Sequence, residues 1–199
     1  MAGVGKLSLS ELDHILQPAT AAMGAPILFS TIEVTRQVFY RSSLSYAIVN
    51  LKPIVPGHVL VIPNRPVSRL TELTTPELTS LITSVKDVGS VIERVYSGDA
   101  LTVACQDGKA AGQSIPHVHF HILPRKFKGD FFSGRNDDIY PALEEAEESL
   151  PRDLQSVEQV KHSRLRVDAD DKRETRTMDD MEKEAIWLRT FFKERDSAA

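Results

Sequence analysis

The sequence predicts an α+β fold: an antiparallel sheet of about five strands, with one long helix packed on it and a second helix at the C-terminal end. Two observations carry this. Short β-rich runs lie on both sides of a single long stretch with helical periodicity. The resulting order of strands, helix, strands, tail and helix lacks the regular alternation of a doubly wound parallel sheet. No internal repeat divides the 199 residues, a length that suits one well-packed domain with appendages.

Taken in order, Ile27 to Phe29, Gln37 to Tyr40 and Ser45 to Val49 are short runs of strand-forming residues separated by polar ones. Lys52-Pro53 and Pro56-Gly57 signal turns before His58-Val59-Leu60-Val61-Ile62, a buried strand that Pro63 ends. Thr75 is the expected N-cap of the long helix, with Pro76 at its first position and Glu77 near its positive end. Leu78, Leu81, Ile82, Val85, Val88, Ile92 and Val95 recur at helical spacing as one apolar stripe that must cover the sheet, and the helix is expected to stop near Ser97-Gly98. Two strands follow, Ala100 to Cys105 and His117 to Leu123, joined by a loop holding Gly108, Gly112, Gln113 and Ser114.

Four segments result. Residues 1–25 form an N-terminal extension and residues 26–128 the sheet domain. Residues 129–177 read as a mobile, polar and acidic loop, because so few large apolar side chains cannot offset the entropy of ordering it. Residues 178–199 read as a helix and tail packing on the domain, with Met181, Ala185, Leu188 and Phe192 on one face and Thr177 with Asp180 resembling a capping box.

Composition narrows the partners. A hydrophobic fraction of 41% with 26% charged residues fits an ordinary globular protein. No apolar run reaches the roughly 20 residues of a membrane-spanning helix, so no membrane partner is expected. A net charge of -4 argues against nucleic acid, which wants a basic face. The single Cys105, in the apolar run that starts at Leu101, cannot form an internal disulfide, and it reads as a buried structural thiol in a reducing compartment. The cytoplasm is the expected location, with the nucleus open at this size. Organelle targeting by the extension is left open, although Glu11 and Asp13 are unlike a transit peptide. A product starting at Met23 would keep the whole core.

The informative segment is Pro116-His117-Val118-His119-Phe120-His121-Ile122-Leu123. On a strand, three imidazoles would share one face about 6.6 Å apart, with Val118, Phe120 and Ile122 on the core side. His14 and His162 read as structural or merely exposed. Three histidines in strict alternation need a better reason, since buried polar rings without partners are costly. A metal site and a phosphate site compete. Against the metal stands the absence of a Cys pair or a helical His-x-x-x-His to complete four zinc ligands, so no metal-binding residue is assigned.

His117 to Leu123 fits the motif His-φ-His-φ-His-φ-φ, with φ apolar, and the chain resembles the histidine triad (HIT) hydrolases. The segments Ser45 to Asn50, Pro56 to Val61, Gln106-Asp107-Gly108, Ala111-Gly112-Gln113 and Pro124-Arg125-Lys126 resemble more specifically the fragile histidine triad branch. The likeness covers about Pro26 to Tyr140 and the last helix, and makes residues 26–128 a HIT-like catalytic domain.

The resemblance implies that His119 attacks an α-phosphorus to form a nucleotidyl-histidine that water then hydrolyses. A neutral imidazole is ready for this if its other N–H is held by a carbonyl. His117 and His121 would flank it to bind the equatorial oxygens, with His58 completing the ring. Gln106 would bind a bridging oxygen or orient water. The loop Gly112-Gln113-Ser114-Ile115 would supply N–H groups and a hydroxyl to phosphate, and Asn50 would hold ribose hydroxyls. Singly, Asn50, Gln106 and Gly112 also read as ordinary turn or strand-end residues.

The activity implied is hydrolysis of a dinucleoside polyphosphate, foremost diadenosine triphosphate to AMP and ADP. Nothing is expected to be tightly bound, but Mg2+ or Mn2+ would accompany the substrate. Adenylyl sulfate or a nucleoside phosphoramidate is an alternative adenylylated small molecule for the same nucleophile. Two readings of other classes are a nucleotide-bound signalling module, with Tyr140 a candidate phosphorylation site, and a zinc-binding protein. The family likeness also implies a homodimer through the long helix and an edge strand.

Overall fold

The computed structural model describes residues 25–159 and 176–196. A short ribbon, β1 (Leu28–Phe29) and β2 (Ile32–Glu33), leads into the sheet. The strands β3 (Val38–Arg41), β4 (Ser45–Val49), β5 (Val59–Pro63), β6 (Ala100–Ala104) and β7 (Phe120–Arg125) pair antiparallel in the order β3-β4-β5-β7-β6. The helices are α1 (Thr75–Val95), α2 (Ile139–Gln159) and α3 (Met178–Asp196). The expected α+β architecture and strand number are both present.

Side-chain alternation sorts the layers. Leu101 and Ile122 face α1, where a Cβ at Gly89 would sit 2.8 Å from Leu101 and 4.0 Å from Ile122, so the glycine lets helix and sheet approach closely. Leu81, Val88 and Ile92 of α1 are fully buried against this face, each contributing roughly 2 kcal/mol of burial. One residue along β7 on either side of Ile122, His121 and Leu123 point to the other face. There Leu123 packs with Val55, Phe132, Ile139 and Leu143 beneath α2. The helix α3 seals β3 and β4 with the fully buried Met181, Ala185 and Leu188.

Several details differ from the sequence reading. The N-cap of α1 is Thr74, because Glu77 then falls at the third helical position and closes a capping box, its carboxylate accepting from the Thr74 N–H at 2.8 Å. Leu78 and Ile82 stand 38% and 46% exposed, so the stripe is wider than the face that the sheet covers. The last strand starts at Phe120 and not at His117, since the Val118 N–H leaves the ladder to bond the Val67 carbonyl at 2.7 Å. Within the segment read as a loop, residues 139–159 form α2, because Ile139, Leu143, Ala146 and Leu150 recur every three or four residues and are all buried. The expectations for Met23, His14 and His162 fall outside the described residues. No helix among the described residues is long and apolar enough to cross a membrane.

Gly57 adopts φ +83, and a Cβ there would lie 2.6 to 2.9 Å from the Tyr96 ring. That ring cannot simply move aside. Its hydroxyl bonds Glu184, which pairs with Arg176, and Arg176 reaches the Asn50 carbonyl at 3.3 Å. Gly57→Ala is therefore expected to destabilise the protein by about 2–4 kcal/mol, read by denaturant unfolding.

Candidate active site

The antiparallel register brings the candidate residues to one end of the sheet. Val49 pairs with Val59, so Asn50 after β4 and His58 before β5 are neighbours across the turn. Leu60 and Ala104 both oppose His121, which sets Gln106 just past β6 beside the start of β7. The histidines thus lie where four strand ends meet.

Hydrogen bonds decide the protonation of each ring. Ser30 donates its N–H to His117 Nδ1 at 3.0 Å, so His117 carries its proton on Nε2 and gives it to the Pro63 carbonyl at 2.8 Å. Ile54 donates to His58 Nδ1 at 3.3 Å, and His58 Nε2 then donates to His121 Nδ1 at 2.9 Å. That leaves His121 with its proton on Nε2, facing the site. His119 gives its Nδ1–H to the carbonyl of His117 at 2.8 Å, so Nε2 is the nitrogen turned outward. The Phe29 ring packs edge-on against His119 with centroids 5.2 Å apart.

This revises the expectation for His117. Both of its nitrogens are taken by backbone groups, so it has no donor left for a phosphate oxygen in this arrangement; it fixes the chain that carries His119. Asn50 takes the turn reading, with Oδ1 accepting from the Lys52 N–H at 3.0 Å, while its Nδ2 lies 3.3 Å from His58 Nε2. Gln106 Oε1 and Gln113 Nε2 are buried without a partner among the described residues, the state expected of groups held ready for a ligand. Gly112 holds φ +89, which shapes their loop. Ile115 is 3% exposed within the main core, so only its backbone is available to a ligand. Burial, with Asp107 and Glu147 nearby, pushes the Cys105 thiol up to about 11, in keeping with an inert structural cysteine.

One residue was not foreseen. Glu147 of α2 is fully buried at the centre of the site. Its Oε1 contacts His119 Nε2 directly and lies 3.4 Å from His121 Nε2, while its Oε2 accepts from the Ser114 hydroxyl at 2.6 Å. Burial is the largest single influence, raising the Glu147 carboxyl and lowering His119, but their mutual hydrogen bond and charge, with the bonds from His121 to the carboxylate and from His119 to the His117 carbonyl, together outweigh it: the carboxyl sits well below its usual range and the imidazole above its own. His121 is lowered by burial. The nearest approaches of His119, His121 and Glu147 fall within 4.8 Å, so these three could offer ligands to a metal, although Glu147 now touches His119 with no ion between them. The signal for Glu147 was the spacing of Ile139, Leu143, Ala146 and Leu150, hidden by the charges around it.

A bis(5'-nucleosyl)-tetraphosphatase, asymmetrical, of Schizosaccharomyces pombe is 48% identical over 180 residues, spanning 86% of this chain and 97% of that protein. The HIT domain model matches residues 31–128. The chain belongs to the histidine triad (HIT) family. A second HIT relative, the bifunctional bis(5'-adenosyl)-triphosphatase/adenylylsulfatase FHIT of Arabidopsis thaliana, is 45% identical, spanning 79% of this chain and 78% of its own. Among solved HIT structures, the C. elegans NITFHIT protein aligns with a TM-score of 0.59 at 31% identity, over 83% of this chain and 30% of that one. The Plasmodium falciparum diadenosine triphosphate hydrolase, at 22% identity, shares the fold with a TM-score of 0.61 over 87% of this chain and 88% of its own.

Burial lowers His117 to about 4, while its hydrogen bond to the Pro63 carbonyl acts the other way. A base with a depressed folded pKa contributes stability that is complete above its unfolded value, near 6.5, and is lost as pH falls toward 4. The gap corresponds to about 3 kcal/mol. Denaturant titrations from pH 4 to 7 should show this steep acid-side loss in the wild type and a much shallower one in His117→Asn.

Proposed function

We propose that this HIT protein hydrolyses dinucleoside polyphosphates, diadenosine triphosphate foremost, through a covalent intermediate on His119. The observation that carries the proposal is the orientation of His119: Nδ1 is committed to the His117 carbonyl, and Nε2 is turned to the place where Glu147 now meets Ser114 and His121. A neutral imidazole held this way attacks without first losing a proton. The Nε2 lone pair bonds to the α-phosphorus as the bond to the leaving ADP breaks. His121 Nε2–H and the Ser114 hydroxyl donate to the non-bridging oxygens, where preorganised donors count most. Water then attacks the same phosphorus, releasing AMP and returning the electron pair to His119. The unpartnered Gln106 carbonyl suits orienting that water. Mg2+ or Mn2+ is proposed to arrive with the polyphosphate and screen its charge.

The names of the relatives support this substrate class, and the adenylylsulfatase activity named for the Arabidopsis relative favours adenylyl sulfate as a second substrate. The same nucleophile and donors serve both, because only the leaving group changes. We further propose a homodimer across α1 and the edge strand β6. In support, Leu78 and Ile82 of α1 are exposed, and Val103 of β6, 45% exposed, alternates onto the same face as Leu101.

Incubation with diadenosine triphosphate and Mg2+ in oxygen-18 water is expected to place the label in AMP alone, and His119→Asn to lower kcat by at least about 10^4-fold. Label in ADP would move the attack off the α-phosphorus. Sedimentation equilibrium is expected to give a dimer that Ile82→Glu converts to monomer.

A further inference from the structure

We propose that α2 is a lid whose Glu147 carboxylate competes internally for the phosphate subsite, so that substrate binds only when α2 withdraws. The proposal rests on the reading of His119 as nucleophile. The groups that Glu147 engages are those the reaction needs: the Ser114 hydroxyl on one oxygen, and the nucleophile His119 with the donor His121 on the other. A carboxylate and the edge of a phosphate both present two anionic oxygens, so this donor set accepts either. The contact also disarms the nucleophile. With Nδ1–H given to His117, the nitrogen that meets Glu147 is Nε2, and a nitrogen donating its proton to a carboxylate has no lone pair to attack phosphorus.

The helix is built to leave. Between β7 and α2 the chain passes Gly129 and Gly134, at φ +88 and +77, where an added Cβ would meet nothing within 4 Å. Glycine takes these positive φ angles without strain, so the two positions that flank the hydrogen-bonded turn at Asp130 can absorb a change of backbone angle. Within α2, Pro151 has no N–H to give to the carbonyl four residues earlier, which is that of Glu147. The hydrogen-bond ladder is therefore weakest at the residue that fills the site. The carboxylates of Glu144, Glu145 and Glu148 stand exposed on the same helix, and an arriving polyphosphate repels them. Among the described residues, the apolar contacts that hold α2 down are those of Ile139 and Leu143 with Val55, Leu123 and Phe132, and of Leu150 with the main core.

A closed fraction reduces apparent affinity in proportion to the population that is open; if the lid is open a tenth of the time, the apparent constant is weakened about tenfold. Glu147→Gln and Glu147→Ala are therefore expected to lower KM for diadenosine triphosphate, and the dissociation constant for AMP, by about tenfold with kcat within about twofold. Leu143→Ala, which loosens α2 without touching the site, should shift KM in the same direction. Hydrogen exchange supplies a readout free of turnover: AMP should speed exchange across residues 139–159 in the wild type, and Glu147→Ala should already exchange fast. Unchanged KM and exchange in all three variants would overturn the lid. So would a fall in kcat at constant KM, which would make Glu147 a participant in the chemistry, or a tight stoichiometric zinc ion lost on Glu147→Ala, which would make it a ligand. Failure of the hydrolase reading looks different: no turnover in any variant, while AMP affinity and exchange still respond to Glu147.

Discussion

The hydrogen bond from His119 Nδ1 to the carbonyl of His117 selects which ring nitrogen faces the site, and the rest of the arrangement serves that selection. The carbonyl can do so only because residue 117 is immobile. His117 is clamped between the Ser30 N–H and the Pro63 carbonyl, one from the ribbon ahead of the sheet and one from the end of β5. Phe29, from the same ribbon, closes the side of the His119 ring. The short β1–β2 ribbon thus acts on the His119 ring through its backbone and one aromatic ring. A parallel chain of bonds, from the Ile54 N–H through His58 to His121, sets the second ring so that it faces the site as a donor. The imidazoles are therefore not equivalent: one fixes the backbone, one presents a lone pair or a proton as its partner dictates, and one donates.

That division explains why the fold is antiparallel at this point. Four strand ends must meet for Asn50, His58, Gln106 and His119 to be neighbours, and an antiparallel register delivers this with β4, β5, β7 and β6 side by side. The connection between β4 and β5, residues 50–58, turns back into β5 through the positive φ of Gly57, and the ring of Tyr96 fills the space that its missing side chain leaves. Tyr96 in turn ties α1 to α3 through Glu184 and Arg176, so the C-terminal helix braces the Asn50 end of the site from outside the sheet.

Much of this was legible in the sequence, for a physical reason. The strand positions, the long helix and the histidine motif are local patterns, and the residues gathered by four strand ends sit next to turn signals that can be read one at a time. His117 was misjudged because alternation was extended along the whole motif, whereas the backbone leaves the ladder before Phe120 when Val118 bonds Val67. Glu147 was missed because the charged stretch around it outweighed four well-spaced apolar residues in the reading. Its role is also tertiary: no spacing rule says that a glutamate 28 residues after a histidine will touch it. The exposed faces of Leu78 and Ile82 show the converse, an apolar periodicity wider than the monomer's own core uses.

A buried carboxylate would ordinarily be a poor resident for a catalytic pocket, since removing it from water is expensive unless its oxygens are well satisfied. Here two imidazoles and a hydroxyl satisfy it, yet buried ion pairs of this kind sit close to break-even once desolvation is counted. That near-cancellation is what allows Glu147 to occupy the site without blocking it permanently. When a phosphate takes over the subsite, Ser114 and His121 swap one anion for another, the carboxylate regains its hydration, and His119, without the partner that held its second proton, releases that proton to solvent and presents the Nε2 lone pair. The net preference is then set by terms outside the pocket, the apolar contacts of Ile139, Leu143 and Leu150 on one side and the remaining contacts of the ligand on the other. A site that must bind a highly charged ligand and stay dry between turnovers gains from holding its own anion in reserve, because an empty pocket lined by unpartnered donors would be the less stable alternative.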